Sequence, residues 1–271
     1  MKILLLSGSH SRHLFYFKEI LNLENSYSAV VMKRESIIPK LPGGLSKIDE
    51  DNYIMHFKKR EEEENLGYGT LNPDDVFGKI DHIFCDSDSF HSNETINFIK
   101  NKNFDICLIF GTDMIRDKLF TILPKYKINL HLGISPYYKG SATLFWPFHD
   151  LMPQFAGATF HQISPSPDAG EILHHSVPLL EKGDTLHKVA VNTVKKATAD
   201  ILKILNYKIN PDKWNFFEQK FNGKIFMSND FHASHLKLIY NTFNDNIVDH
   251  FLNGDLSNKM PKLINFFKNH E

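Results

Sequence analysis

Over residues 1–110 the chain alternates short apolar runs with amphipathic stretches. Lys2–Ser7, Ser28–Met32, His82–Cys85 and Asp105–Phe110 read as strands, His13–Leu23 and Thr95–Lys102 as helices. Strands separated by helices predict a parallel sheet joined by right-handed crossovers. Residues 33–80 break this rhythm. Pro39, Pro42, Gly43 and Gly44 mark a turn, and the run Lys58-Lys59-Arg60-Glu61-Glu62-Glu63-Glu64 reads as a solvated helix face.

Ile128–Leu132 is the next expected strand. Gly157–Ile163 and Ile172–Leu179 read as two antiparallel strands joined by a loop that carries Asp168. Asp184 suits the N-cap of a following helix, whose buried side draws on Val189, Val191, Val194, Ala197, Ile201 and Leu205. Beyond Tyr207 the pattern changes. Residues 211–227 are aromatic-rich and read as irregular or short-stranded, and His232–Leu252 and Lys259–Lys268 read as two helices parted by Gly254. Leu236, Ile239, Tyr240, Phe243, Ile247, Val248 and Phe251 form an apolar stripe that needs a partner surface, either the sheet of the same chain or a second subunit. His174 and His175 alternate across a strand, so at most one is expected to point inward. The expected architecture is α/β, a mostly parallel sheet with an antiparallel extension and a small helical C-terminal region. It divides into 1–205 and 206–271.

Composition narrows the function. With 271 residues and 42% hydrophobic content the chain can bury a full core. A net charge of −1 gives no general attraction to nucleic acid or an anionic membrane, while leaving room for a local basic pocket. The two cysteines, Cys85 and Cys107, lie in apolar runs and read as reduced core residues. The apolar start Met1–Leu6 stops at Ser7-Gly8-Ser9-His10, too short for a membrane span or a signal peptide, so a cytoplasmic protein is expected. Cys85, Asp86, Asp88 and His91 match no standard zinc spacing, and no metal is expected.

The chemistry concentrates in two segments. Asn129 and His131 stand two apart at the end of an apolar run, so a strand projects both from one face. Asp168 follows in a tight loop between Pro167 and Gly170. Amide, imidazole and carboxylate suit acyl transfer to an amine: the amide donates to a developing oxyanion, the imidazole handles protons and the carboxylate orients it.

These segments resemble the formyltransferases that use 10-formyltetrahydrofolate. That group shares Asn-x-His-x-x-x-x-Pro-x-x-(Lys/Arg)-Gly, then Gly-(Ala/Val)-Thr, then Asp-x-Gly-x-Ile. Asn129, His131, Pro136, Lys139 and Gly140 match the first element, Gly157-Ala158-Thr159 the second, and Asp168, Gly170 and Ile172 the third. The match anchors on about residues 104–190. One departure stands out: many members read His-Pro-Ser-Leu-Leu-Pro where this chain reads His131-Leu132-Gly133-Ile134-Ser135-Pro136.

The resemblance implies a Rossmann-like fold, 10-formyltetrahydrofolate as formyl donor, and Asn129, His131 and Asp168 as the catalytic residues. It further implies that Phe110, Gly111, Thr112, Met114 and Ile115, after the strand at 105–110, offer backbone and apolar groups to the pterin, with the Asp168 loop as the opposite wall. Ligands in open α/β sheets bind beyond the carboxyl ends of strands, which agrees. The loop Ser7–His13 precedes a helix whose N-terminus suits a phosphate, but it is neither Gly-x-Gly-x-x-Gly nor a Walker sequence. In the family this loop lies near the acceptor, which makes Arg12 either a substrate contact or a surface arginine. Tyr137 and Lys139 fit either an acceptor pocket or an exposed loop. The tail is too short for the barrel of the methionyl-tRNA members. A nucleotide-linked amino sugar is therefore the expected acceptor, ahead of another small amine or of non-catalytic folate or nucleotide binding on the same fold. The partners expected are thus a small-molecule amine and a second copy in a homodimer, with neither nucleic acid nor membrane.

Overall fold

The computed structural model describes residues 1–33, 39–207 and 209–269. Five parallel strands form the left and centre of a seven-stranded sheet: β1 (Lys2–Gly8), β2 (Ser26–Met32), β3 (Asp81–Cys85), β4 (Ile106–Phe110) and β5 (Tyr126–His131). A short β6 (Tyr138–Gly140) leaves the sheet, and β7 (Ala158–Gln162) and β8 (Ile172–Ser176) extend it antiparallel, giving the order β3-β2-β1-β4-β5-β7-β8. The strands stand close to their sequence-predicted limits, because strands covered on both faces read as near-continuous apolar runs. Successive residues of β1 divide between two cores. Ile3 and Leu5 pack with helices α1 (Ser11–Ile20), α3 (Pro73–Phe77) and α7 (Leu186–Asn206) on one face. Leu4 and Leu6 pack on the other with α4 (Asn93–Lys100) and α5 (Asp117–Ile122).

A third core lies beyond this sandwich. Helix α2 (Lys47–Tyr68) and the short α6 (Trp146–His149) meet the tail there, burying Tyr53, Phe57, Trp146, Phe148, Leu236, Ile239 and Val248 together. The apolar stripe of the tail thus finds its partner within its own chain. The helices expected at 232–252 and 259–268 are not continuous. The first is broken into a 3-10 turn at Ala233–His235, a π-type segment at Leu238–Thr242 and α8 (Ile247–Leu252), with Asn244 and Asp245 at positive φ between them. The second is not helical before a closing 3-10 turn at Phe267–Asn269. β9 (Lys224–Phe226) pairs with β6. Two smaller expectations also change. Thr185, not Asp184, caps α7, its side chain accepting from the Lys188 N–H, while Asp184 accepts from the Glu181 N–H.

His174 and His175 are both buried, against the expectation for alternating residues. The reason is the tail. The Ile264 N–H donates to His175 Nδ1 at 2.8 Å and the Phe266 N–H to His174 Nδ1 at 3.2 Å, while the His175 N–H donates to Ile264 O at 2.9 Å. The last described segment therefore straps the outer edge of β8, covering groups an edge strand would otherwise expose. His174 Nε2 faces Asp200 Oδ2 of α7 at 3.2 Å, and His175 Nε2 donates to Ser135 O at 2.9 Å.

His175 thus accepts on one ring nitrogen and donates on the other, which only the neutral ring does. Burial lowers its pKa to about 4. The unfolded chain binds that proton near pH 6.5, so stability is full above pH 6.5 and falls as the pH drops toward 4. Urea unfolding of the wild type is expected to lose on the order of 2 kcal/mol more stability between pH 7.5 and 4.5 than His175→Gln does. Equal losses in the two proteins would contradict this account.

Candidate active site

Parallel pairing sets the carboxyl ends of the strands along one edge. Ile109 of β4 is in register with Asn129 of β5, and His131 continues two residues further. Asn129 and His131 share a face, as their spacing requires. On the other side β7 runs antiparallel, pairing His161 with Asn129 and Thr159 with His131. The loop from β7 to β8 then folds back over this point. It does so at Gly170, where any Cβ would lie 1.7 Å from Gln162 O. Gln219 holds the loop from outside, its Nε2 donating to Asp168 O at 2.7 Å and Gly170 O at 2.9 Å.

Asp168 sits at the centre, with φ +47. That left-handed conformation is uncommon outside glycine, though aspartate tolerates it better than most. Its Oδ2 accepts from the Gly140 N–H at 2.8 Å and lies 3.3 Å from His131 Nδ1, and its Oδ1 lies 3.4 Å from His161 Nε2. Burial by itself would raise this carboxyl; the two imidazoles and the Gly140 amide outweigh it and hold the group well below its ordinary value. Asp168 is therefore an anion at neutral pH. The Asn129 amide Nδ2 lies 3.2 Å from His161 Nε2.

His131 is buried, and burial lowers its pKa despite the opposing pull of Asp168; His161 and Lys139 add to the lowering. Its Nε2 donates to Tyr138 O at 2.9 Å. Gly133 has a physical reason here. A Cβ at that position would lie 2.5 Å from His131 Nε2 and 2.7 Å from Tyr138 O, so a serine would displace the ring from its partner. The departure from the family pattern and the orientation of His131 are thus one feature.

The trio separates two cavities, with Gly140 on the wall of both. The first, of about 340 Å³, is lined by Ile109, Thr112, Asp113, Met114, Ile115 and Asn129 on one side and by Ile163, Ser164, Ser166, Pro167 and Asp168 on the other. The second, of about 360 Å³, holds His131, Arg12, His13, Phe110 and Thr143, with Arg60 and Glu64 of α2 and the aromatics Phe57, Tyr68, Phe145 and Phe231.

The sequence-selected residues divide accordingly. Thr112, Met114, Ile115 and Asp168 come together in the first cavity. Phe110 turns instead toward the second, edge-on to His13 with ring centroids 4.6 Å apart. Gly111, at φ +82, has no room for a side chain beside the His13 ring. Arg12 lines the second cavity with one partner on each guanidinium nitrogen: Nη1 with Glu64 Oε1 at 2.7 Å, Nη2 with His10 Nδ1 at 3.1 Å, and Nε with His13 Nε2 at 3.3 Å. Tyr137 and Lys139 line neither cavity. Tyr137 packs edge-on to Phe155 and Phe221, and its hydroxyl accepts from the Lys262 N–H. Lys139 is buried in β6.

Two groups escaped the sequence reading. His161 lay in the expected strand 157–163, and only the ladder register with Asn129 reveals it. Glu64, expected on a solvated face, is 7% exposed and joins Arg12 to Arg60, whose Nε donates to it at 3.0 Å.

Asp168 is the larger of two groups that pull the His131 pKa upward, the Tyr138 carbonyl being the other, so Asp168→Asn is expected to lower it further. Imidazole NMR titration of His131 checks this, and a rise in the variant would contradict the assigned contact.

No family model matches the chain. Solved structures do resemble it. WlaRD, a sugar 3-N-formyltransferase crystallised in the presence of dTDP and 5-N-formyl-THF, superposes with a TM-score of 0.55 at 18% identity, over 86% of this chain and 71% of that one. A phosphoribosylglycinamide formyltransferase from Anaplasma phagocytophilum gives 0.52 at 16% identity, over 84% and 97%. An N-formyltransferase from Helicobacter canadensis, in complex with folinic acid and dTDP-3-aminofucose, gives 0.51 at 16%, over 86% and 73%. The chain has the fold these formyltransferases share. Among the described residues no helix is long and apolar enough to cross a membrane.

Proposed function

We propose that the protein is an N-formyltransferase that moves a formyl group from 10-formyltetrahydrofolate to the amine of a small acceptor, an amino sugar linked to a nucleotide. The observation that carries this reading is the placement of Asn129, His131 and Asp168 on the partition between two cavities. A donor on one side and an acceptor on the other would meet there. The fold likeness supports the choice of chemistry, and the complexes of the sugar enzymes support the acceptor class.

The first cavity suits the donor. Ile109, Met114, Ile115 and Ile163 offer apolar faces to a flat ring, and Thr112, Asp113, Ser164 and Ser166 offer polar groups at its edge. When bound, 10-formyltetrahydrofolate supplies the formyl carbon that passes to the acceptor nitrogen. The chain's own groups do the rest. The Asn129 amide donates to the carbonyl oxygen as charge develops on it. The attacking amine must be neutral, and His131, held neutral by burial, takes the proton the nitrogen sheds on Nδ1, the ring nitrogen beside Asp168, because Nε2 already donates to Tyr138 O. Asp168 then stabilises the imidazolium across 3.3 Å, with the Tyr138 carbonyl accepting from the other ring nitrogen. His131 would then be placed to return the proton from Nδ1 to the nitrogen that gives up the formyl group. His161 acts through Nε2: with Nδ1 donating to Gln162 O at 2.8 Å, the neutral ring accepts from the Asn129 amide there, beside the Asp168 carboxylate.

Single substitutions Asn129→Ala, His131→Ala and Asp168→Ala are expected to lower kcat strongly, by roughly 10²–10³ for the oxyanion donor, with 5-formyl-THF binding retained in His131→Ala. Turnover with 10-formyltetrahydrofolate and a panel of amines is the measurement. Near-wild-type kcat in His131→Ala at saturating acceptor would sink the mechanism, and no turnover with any amine would sink the function.

A further inference from the structure

The second cavity holds a charge arrangement that the transfer step does not use. His56, Phe57, Arg60 and Glu64 fall on one side of α2, at helical spacing, and all face this space. Glu64 Oε1 receives both Arg12 Nη1 and Arg60 Nε, so one carboxylate serves two guanidinium groups. The imidazoles at the closed end add no charge at neutral pH. Burial lowers His56 to about 3 and His187 well below its usual value. His56 Nδ1 instead pairs with the Tyr240 hydroxyl at 2.8 Å. Lys59, on the same helix, is already matched by Asp245 at 3.2 Å. The arginine-glutamate group is therefore left with one positive charge in excess.

That excess has an address. Every guanidinium nitrogen of Arg12 is occupied, whereas Arg60 uses only Nε; its two Nη atoms have no hydrogen-bond partner among the described residues. Their paired N–H groups match a planar carboxylate or a phosphate, and a wall that is mostly apolar raises the strength of such a contact. Glu64 fixes the fork in position before anything binds.

We infer that the His131 cavity recognises an acceptor carrying an anionic oxygen group, carboxylate or phosphate, and that the Nη edge of Arg60 holds it. Arg12 is then the fixed wall and Arg60 the residue that selects. This rests on the proposed function only in calling the ligand an acceptor; the anion site itself stands on the cavity.

The test uses the full chain, with inorganic phosphate and acetate as probes and 5-formyl-THF as a check on the donor cavity. The side-chain Nε–H signal of Arg60 is followed by NMR, assigned through Arg60→Lys. Saturable movement of that signal by phosphate or acetate is expected, with the apparent Kd weakened at least 10-fold in Arg60→Gln, read from protection against thermal unfolding. A response to phosphate alone identifies the group as a phosphate, and a response to acetate alone as a carboxylate. Arg60→Lys keeps the charge without the fork and is expected to fall between. It also decides the matter if Arg60→Gln does not fold. Binding of 5-formyl-THF with no Arg60-dependent response to either anion would overturn the inference and leave the proposed function standing. Failure to bind 5-formyl-THF would count against the proposed function, whatever the anions do.

Discussion

A carboxylate largely shielded from water must be surrounded by partners, and the site is organised around meeting that demand at Asp168, whose side chain is 16% exposed. One oxygen takes the Gly140 amide and faces His131, the other faces His161, and the backbone carbonyl is held by Gln219. These groups come from β5, β6, β7 and the segment before β9, so the anion fastens four separate parts of the chain to one another. The left-handed backbone at Asp168 is the cost of bringing the carboxylate to that point. Removing the charge would leave the histidines and the Gly140 amide facing nothing, which is why the residue is at once a structural anchor and a candidate for chemistry.

The central strands were legible because burial on both faces leaves a plain apolar run. Asn129, His131 and Asp168 were legible because a strand end and a tight loop constrain them locally. Gly133 was visible as a departure, but its meaning was not, since it depends on how close the chain returns at Tyr138. His161 was hidden for a similar reason: a histidine in a strand says nothing until the register shows what lies opposite.

The larger misreading lay in α2 and the tail. A run of three cations and four anions looks like a solvated face, because sequence carries only charge and spacing. What turns Arg60 and Glu64 inward is α7 and the tail packing around the same helix, which leaves the Arg60 side chain 23% exposed and that of Glu64 7%. Likewise the apolar stripe from Leu236 to Val248 was real, yet its helix is broken where Asn244 and Asp245 take positive φ. Asp245 earns that conformation through long-range bonds, accepting from the Leu186 amide at 3.1 Å and meeting Lys59. Tertiary contacts of this kind override local propensity.

The two cavities differ in a way that bears on how such a site acquires its specificity. The walls of the first are strand ends and the β7–β8 loop, close to the sheet and hard to alter without moving Asn129 or Asp168. The second is closed by α2, the start of α7 and Phe231 of the tail, elements added outside the sheet. Substitutions there leave the partition intact. A fold that keeps Asn129, His131 and Asp168 on the sheet and the outer wall on appended helices can change the second cavity without rebuilding the partition. The neutral imidazoles of His56 and His187 and the half-satisfied Arg60 lie on that appended part, and much of the electrostatics of the second cavity is set there.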